Sequence, residues 1–367
     1  MKTLLLGDIC PTIQTKNDFA TANVDSLFSD AIRLFRSVDF SFVNLECAIT
    51  ESENRIEKFG PNLKAPYGTE KVLSALGVSL VGLSNNHIFD FGIEGATDTK
   101  RALAEMGIPY TGYGNNYEDA RRDYVVSFGG ERITFITVCE HEYSYALDNR
   151  EGSRPIDDFD TLEDISKAKA KGGKVIVIYH GGKEYCRYPS PRLRKLCRAM
   201  VKCGADVVLC QHSHCVGCYE EFLDSHILYG QGNFHFAKAD FVDKSIAPLW
   251  NNSLAVLYDT LTNEMNFVPL VETATGIEIA KGERAKEILS GFASRNEELR
   301  NGAWLEGWHD FCESQRDWYT HTVARAFAEG SSVEEDNIFG HYLDCEAHTD
   351  VYRELFKTAN HKNEIGK

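Results

Sequence analysis

Two histidines separated by a single residue follow an apolar run in the middle of the chain. They are His212 and His214, and the run 205–210 ends just before Gln211. A strand that breaks into a loop at this point can direct both imidazole rings into one cleft. Imidazole is a common metal ligand and also exchanges protons near neutral pH. The pattern therefore indicates a metal site or an acid–base centre.

Four other apolar runs end with side chains of the same chemical kind. These side chains are Asp8, Glu46, the group Asn85, Asn86 and His87, and His180. In open α/β sheets, ligands bind at the carboxyl ends of the strands. Each residue alone has an ordinary structural interpretation, such as a helix cap for Asp8 or a turn for Asn85 and Asn86. The coincidence of five such segments favours a site for two metal ions.

The predicted ligand set mixes carboxylates, an amide and imidazoles. Its members are Asp8, Glu46, Asn86, His180, His212 and His214. This mixture suits Mn, Zn or Fe, whereas Mg and Ca prefer oxygen ligands alone. Two ions about 3.5–4 Å apart would deprotonate a bridging water near neutral pH and polarise the group under attack. His87 is predicted to protonate the leaving group and not to bind metal.

Strands and helices alternate along residues 1–272, which predicts an α/β domain with two packed sheets and helices on their outer faces. The predicted helices are 25–36, 69–76, 94–106, 161–171 and 190–203. The predicted strands are 38–45, 78–83, 123–128, 132–138, 174–179, 205–210, 226–229, 253–258 and 265–270. Gly129 and Gly130 join two of these strands in a predicted hairpin.

Residues 273–367 have helical spacing and no chemical motif. The predicted segments are 283–298, 302–329 and 332–357, with apolar packing positions at Trp304, Trp308, Phe311, Trp318 and Phe327. We predict a helical extension or cap on the main domain. A helical module that binds a partner is the alternative.

Composition limits the partners and the compartment. Fifty-five acidic against 39 basic residues give a formal net charge of −16, which argues against a nucleic-acid partner. An anionic substrate stays compatible, since bound divalent cations can dominate the local field. The chain shows no signal peptide and no apolar run long enough for a membrane anchor. Eleven cysteines without a secretory segment then indicate thiols in a cytoplasmic protein.

The ordered motifs resemble those of the bacterial capsule-synthesis CapA (PGA_cap) family, a branch of the calcineurin-like metallophosphoesterases. The resemblance covers about residues 3–240 and rests on Gly7-Asp8, Asn44-Leu45-Glu46, Asn85-Asn86-His87, the segment from His180 to Tyr185, the segment 204–208 with His212-Ser213-His214, and Gly232-Asn233-Phe234. It implies a four-layer α/β/β/α sandwich with the metals at the strand ends, followed here by a C-terminal helical extension.

The resemblance also implies roles for single residues. Asp8 and His214 would bind the first metal and Glu46 would bridge. The second metal would be held by Asn86, His180 and His212, and His87 would be the catalytic histidine. The residues predicted to contact substrate are Asn44, Asn85, Glu184, Tyr185 and Asn233.

The first motif departs from the superfamily pattern. Metallophosphoesterases typically carry Asp-x-His there, whereas this chain has Asp8-Ile9-Cys10. Cys10 is either a metal ligand or a buried thiol. Without the histidine, the sequence leaves open whether one or two metal ions bind. The family's capsule proteins usually have an N-terminal membrane anchor, which is not expected here.

Three functions follow as hypotheses. The leading one is a hydrolase in which a metal-bound hydroxide attacks a phosphoester of a small or polymeric, anionic substrate. The second, suggested by the family name, is a protein related to poly-γ-glutamate capsule biosynthesis or one that hydrolyses or ligates γ-glutamyl amides. The third is a metal-containing binding protein with little catalysis.

Two further clusters each have a structural and a functional interpretation. Cys215 and Cys218 are incidental thiols or a redox-sensitive loop. The arginines and lysines of helix 190–203 form a solvated face or, with Lys183 and Arg187, steer an anion. Loop residues that could reach a ligand are Lys58, Lys64, Tyr67, His141 and Arg154.

Overall fold

A computed structural model describes residues 1–237, 239, 242–243, 245–273 and 276–357. Its strands are β1 (Lys2–Ile9), β2 (Phe40–Leu45), β3 (Ala48–Ile49), β4 (Lys64–Ala65), β5 (Leu80–Gly82), β6 (Tyr110–Thr111), β7 (Tyr113–Gly114), β8 (Tyr124–Phe128), β9 (Glu131–Cys139), β10 (Gly152–Ser153), β11 (Lys174–His180), β12 (Val207–Gln211), β13 (Tyr219–Phe222), β14 (Ser225–Leu228), β15 (Asn233–His235), β16 (Asn252–Asp259), β17 (Glu264–Glu272) and β18 (Ile277–Ile279).

The α-helices are α1 (Lys16–Ala20), α2 (Val24–Phe28), α3 (Ile32–Phe35), α4 (Thr69–Leu76), α5 (Gly92–Glu105), α6 (Tyr117–Ala120), α7 (Asp158–Ala170), α8 (Pro191–Lys202), α9 (Ala247–Trp250), α10 (Gly282–Asn301), α11 (Trp304–Ser314), α12 (Arg316–Ala326), α13 (Val333–Asp344) and α14 (Glu346–Leu355). One 3₁₀ turn, Ser29–Ala31, lies between α2 and α3.

Two large sheets form the centre of the molecule. The first has the strand order β18-β17-β16-β1-β2-β5-β6, with β15 beside the C-terminal end of β1. The second has the order β13-β14-β12-β11-β9-β8. The predicted hairpin is confirmed, because β8 and β9 pair antiparallel.

Alternating side chains of the strands fill three hydrophobic layers, as expected for strands buried on both faces. In β1, Leu4 and Leu6 pack with the helices beside the first sheet. Leu5 points the other way and packs between the sheets with residues such as Phe135 and Ile178. A third layer joins the second sheet to α7, α8 and the C-terminal helices. The four-layer α/β/β/α sandwich is therefore confirmed.

The parallel registers place the predicted ligand segments at one end of each sheet. Asp8 pairs with Asn44, and Asn44 pairs with Gly82 of β5. In the second sheet His180 is level with Gln211. Because the sheets pack face to face, these two rims lie together.

Glycine at position 7 is required by the close approach of two strands. A Cβ atom there would lie 2.0 Å from the carbonyl oxygen of Gly232, just before β15. The next residue pair in register is Asp8 with Asn233. Gly7 therefore allows β15 to approach the strand that carries the first carboxylate.

Three predicted helices are broken in the structure. The segment 25–36 is interrupted at Ser29, which has a φ of 44°. The segment 302–329 divides at Gln315 and 332–357 divides at Cys345, whose backbone is extended. Local periodicity continues across each break, so the sequence pattern alone does not reveal it.

Two of the five predicted aromatic packing positions lie at the surface and pack only in part. Trp304 and Trp308 are buried, but the side chains of Trp318 and Phe327 are 46% and 77% exposed. Trp318 still stacks on Phe59 at 6.4 Å between ring centroids.

The division at residues 272 and 273 stays a prediction. The first sheet continues past it, since β18 pairs with β17. Among the described residues, no helix is both long enough and apolar enough to cross a lipid bilayer.

Candidate metal centre

Three buried side chains from both sheets meet around one point. Asp8 and Glu46 come from the first sheet and His180 from the second, and their ligand atoms all lie within 4.8 Å of one another. His180 Nδ1 is 3.5 Å from Asp8 Oδ1, and its Nε2 is 3.2 Å from Glu46 Oε1. This arrangement resembles a set of ligands around a cation.

Glu46 also belongs to a second group with His212 and His214, again within 4.8 Å. Asp8 lies near both His180 and His214, with shortest distances of 3.5 and 3.7 Å, and His212 Nδ1 lies 3.2 Å from His180 Nε2. The assignment of ligands to a first and a second metal therefore stays a prediction. Glu46 is shared by both groups, as a bridging ligand would be.

The carboxylate of Glu46 has no hydrogen bond. The side chain is fully buried, and neither oxygen has a hydrogen-bond partner among the described residues. Its nearest cationic atoms are ring nitrogens of His180 at 3.2 Å and His214 at 3.8 Å. A buried carboxylate whose oxygens accept no hydrogen bond is unfavourable even beside charged imidazoles. A divalent ion at this position would satisfy both oxygens, so the residues present fit such an ion.

Left-handed backbone turns both histidines into the site. His212 has a φ of 71° and His214 a φ of 52°, values uncommon for residues other than glycine. They follow the end of β12, where the strand breaks into the loop. Strained backbone of this kind clusters at functional sites. Both imidazoles lie beside Glu46 in one buried group of ligand-type side chains.

Charges within the cluster shift its pKa values. Burial acts to raise the pKa of Asp8, but the charge and hydrogen bonding of His180 outweigh burial and lower it to about 2. Burial acts to lower the pKa of His180, but Asp8 and Glu46 raise it to about 10. Both shifts show that the carboxylates and the imidazole lie close enough to stabilise each other's charged forms.

Glu142 is a site residue that the sequence analysis missed. Its Oε1 is 3.2 Å from His212 Nε2, and its Oε2 accepts a hydrogen bond from Asn86 Nδ2 at 3.1 Å. Burial acts to raise the pKa of Glu142, yet His212 lowers it well below its usual value. A carboxylate in this position orients two predicted ligands. Only its place at the end of β9, in the run Glu140-His141-Glu142, could have signalled it.

The C-terminal helices close over Glu142. Cys345, between α13 and α14, donates to Glu142 Oε1 at 3.6 Å and to Glu140 Oε2 at 3.5 Å. His341 Nε2 lies 3.8 Å from Glu142 Oε2. The C-terminal helices therefore lie against one side of the candidate metal centre.

His87 is held by a buried ion pair. Its Nδ1 is 2.7 Å from Asp90 Oδ2, and Lys58 Nζ donates to the other oxygen of Asp90 at 2.7 Å. Lys58 Nζ is also 3.2 Å from His87 Nδ1, and the shorter contact assigns the Nδ1 proton to the bond with Asp90. The other ring nitrogen makes no hydrogen bond within the described residues. Asp90 was missed, although its spacing of three from His87 could have signalled it.

Three predicted substrate residues are asparagines engaged with the protein. Asn44 donates to Asp8 at 2.7 Å, and Asn233 Oδ1 lies 2.8 Å from His214 Nδ1. Asn85 is fully buried; it donates to the carbonyl of Leu45 and accepts from the backbone of His87. These contacts position the ligand segments, and substrate contact for them stays a prediction.

The other two predicted substrate residues lie in the loop after His180. Glu184 forms an ion pair with Lys183; burial acts to raise its pKa, but Lys183 lowers it. Tyr185 has a φ of 63°, and its ring centroid is 6.2 Å from that of Trp250. The glycines before them are needed here: a Cβ on Gly181 would lie 2.7 Å from the Glu140 side chain, and Gly182 has a φ of 102°.

Cys10 supplies no atom to either ligand group. Its thiol is buried beside Pro11, and burial together with Cys47 raises its pKa well above 9.0. The geometry favours the buried-thiol interpretation. Cys215 and Cys218 donate to the carbonyls of Cys186 and Arg187 and tie two loops together.

Arg154 was wrongly predicted to reach a ligand. It is 2% exposed and pairs with Asp123 at 3.2 Å and Asp164 at 2.8 Å. The basic helix is largely neutralised as well, since Arg194 and Arg198 both pair with Glu220. Ser190 caps this helix, since its side chain accepts a hydrogen bond from the backbone of Leu193.

A family comparison agrees with the motif order. Residues 2–238 match the family described as bacterial capsule synthesis protein PGA_cap. The chain belongs to this family. Every predicted metal ligand lies within the matched PGA_cap region.

Curated PGA_cap relatives are similar over the same part. The chain is 30% identical to the capsule biosynthesis protein CapA of Bacillus anthracis over 241 residues, covering 63% of this chain and 59% of the relative. It is 28% identical to the PGA biosynthesis protein CapA of Bacillus subtilis over 239 residues, covering 63% and 62%. The chain thus spans about three fifths of these relatives.

Among solved structures, the fold is similar to a 5′-nucleotidase precursor from Thermus thermophilus. The two share 14% identity with a TM-score of 0.43, covering 80% of this chain and 58% of the other.

Proposed function

We propose that this PGA_cap chain is a metal-dependent hydrolase that cleaves a phosphoester. The observation that carries the proposal is the buried, unbonded carboxylate of Glu46, shared by two groups of ligand-type side chains. The donor set of carboxylates and imidazoles suits Mn, Zn or Fe. Asp8, Glu46, His180, His212 and His214 would hold the ions, with Asn86 beside them.

Two divalent ions, when bound, would polarise the phosphoryl group and lower the pKa of an attacking water. The chain's own residues handle the leaving group. His87 presents its free ring nitrogen while Asp90 accepts the proton of the other nitrogen. Lys58 keeps Asp90 ionised and oriented. His87 is thereby set to donate a proton to the departing oxygen.

The test compares two leaving groups on metal-reconstituted protein. Phenol has a pKa of about 10, like tyrosine, and needs protonation as it leaves; nitrophenol is more acidic and needs it less. We expect His87→Ala to reduce hydrolysis of phenyl phosphate far more than that of p-nitrophenyl phosphate, with metal content unchanged. Equal losses on both substrates would remove His87 as the proton donor. No turnover by the wild type would remove the hydrolase proposal.

The second candidate is processing of γ-glutamyl amides in capsule synthesis. Family membership favours it, since the relatives are named for capsule and PGA biosynthesis. If this candidate is right, the metal-loaded protein cleaves γ-glutamyl peptides and leaves both phosphoesters intact. A protein that retains metal but cleaves neither the phosphoesters nor the γ-glutamyl peptides would be a metal-containing binding protein.

We also infer a reducing, cytoplasmic setting. All eleven cysteines are free thiols in the structure, including Cys197 and Cys210 with sulfurs 3.7 Å apart. Thiols in such number are typical of reducing compartments. Thiol titration of protein from native cells checks this, and disulfide-linked peptides would contradict it.

A further inference from the structure

A pocket lies beside the loop that follows His214. It has a volume of about 300 Å³. Its lining includes Val216 from that loop, Leu249 from α9, and Arg187, Arg284 and Arg295. Three arginines around one small pocket are unusual in a chain with a net charge of −16.

Arg295 is buried without a carboxylate partner. The residue is 8% exposed, and its Nε donates to the carbonyl of Gly217 at 3.0 Å. Within the described ranges, its two terminal nitrogens make no hydrogen bond or ion pair. Burial, followed by the charge of Arg187, lowers the pKa of Arg295. No described acidic side chain therefore neutralises the charge of Arg295.

The surrounding charges leave the pocket cationic. Arg187 is exposed, and its guanidinium has no partner among the described residues. Arg284 is neutralised by Glu287 at 2.5 Å. Glu298, one turn after Arg295, accepts from Tyr188 and Ser294 instead. Arg187 and Arg295 therefore remain uncompensated.

We propose that this pocket binds an oxyanion, a carboxylate or a phosphate group, between Arg187 and Arg295. Guanidinium forks match both groups with paired, charge-assisted hydrogen bonds. The pocket also lies close to the metal centre. Leu249 lines it, and the next residue, Trp250, has its ring centroid 4.4 Å from that of His214. An acidic polymer held in this pocket would lie near the metal centre, a step that rests on the proposed function.

The experiment measures binding of two probes to the full chain by calorimetry. The probes are inorganic phosphate and penta-γ-glutamate, each titrated into metal-loaded and into chelator-treated protein. Arg187→Gln is the main variant, because this exposed side chain has no bond whose loss would affect folding. Arg295→Met is the second variant. Arg300→Gln, an exposed arginine on the same helix paired with Glu297, is the matched control.

We expect Arg187→Gln to weaken binding of at least one probe about tenfold, the effect of losing one charged hydrogen-bond pair. We expect the same loss of affinity in chelator-treated protein, and no loss of affinity in Arg300→Gln. Loss for the glutamate probe alone identifies a polymer carboxylate as the ligand; loss for phosphate identifies a phosphate group. Unchanged affinity of Arg187→Gln, or no binding by the wild type, overturns the proposal. Turnover is assayed separately, so failure of the hydrolase proposal is distinguishable.

Discussion

Single side chains at the metal centre are arranged in a way that packing alone does not explain. Glu46 is buried with both oxygens unbonded, and Asp8 lies beside it with a pKa of about 2. Two buried carboxylates repel each other unless cations lie between them. The histidines around them supply part of that charge, and a divalent ion would supply more.

Substitution of His212 tests the ligand set. Because His212 and His214 share a group with Glu46, we expect His212→Ala to retain well under half of the wild-type metal in chelator-buffered elemental analysis. His321→Ala removes an exposed imidazole and serves as the control, with unchanged metal. Full stoichiometry in His212→Ala would exclude this residue from the ligands.

Asp90 tests the positioning of His87. Asp90→Asn keeps the shape of the side chain but removes the charge that faces His87 and Lys58. We expect kcat on phenyl phosphate to fall about tenfold or more, within the range that general acids contribute, with KM and metal content preserved. The pH profile of kcat should shift as well. A change in KM alone would indicate a role in binding.

At the scale of elements, strand approach places the first carboxylate. β15 lies against β1 only because Gly7 leaves room for the carbonyl of Gly232. The contact is backbone against backbone, so no rotamer change can relieve it. The metal centre therefore depends on the close pairing of these two strands.

Gly7→Ala should both destabilise the protein and lower its metal content. Overpacking of this kind costs about 1–3 kcal/mol, measured here by urea denaturation. Gly340→Ala is the control: nothing lies within 4 Å of its added Cβ, and in helix α13 alanine is favoured by up to about 1 kcal/mol. Equal stability of the two variants would show that β15 moves freely.

At the scale of the whole molecule, the C-terminal helices and the main domain form one unit. Arg192 of α8 pairs with Asp350 of α14 at 2.9 Å. His141, after β9, lies 2.6 Å from Glu346. Together with Cys345 these contacts fix the helices over Glu142. Metal affinity is therefore expected to depend on residues far from the family motifs.

The His141–Glu346 pair makes this docking depend on pH. Burial acts to lower the pKa of His141, but Glu346 raises it above 6.5. A raised folded-state pKa stabilises the fold fully below about pH 6.5 and loses the effect as pH rises through the folded value. We expect His141→Gln to cost up to about 1 kcal/mol in urea denaturation at low pH and less at high pH. His321→Gln is the control, and a pH-independent cost would contradict the pairing.

Much of the molecule could be predicted from local patterns. Continuous apolar runs such as Leu4-Leu5-Leu6 predict strands buried on both faces, and ligand-type residues at their ends predict a metal centre. These signals depend on neighbours in the chain. The same locality explains the errors, since helical periodicity continues through Ser29, Gln315 and Cys345, where contacts with other elements break the helix.

The sequence by itself determined the layers, the ends of the strands and the chemical types of the ligands. Only the tertiary structure decided which side chains share the site: Glu142 and Cys345 lie 203 positions apart, yet meet beside His212. The tertiary structure also decided that Arg154 forms buried ion pairs, whereas Arg187 and Arg295 line a pocket and have no acidic partner among the described residues. Such choices depend on how two sheets and a helical cap pack, and no local pattern encodes that packing.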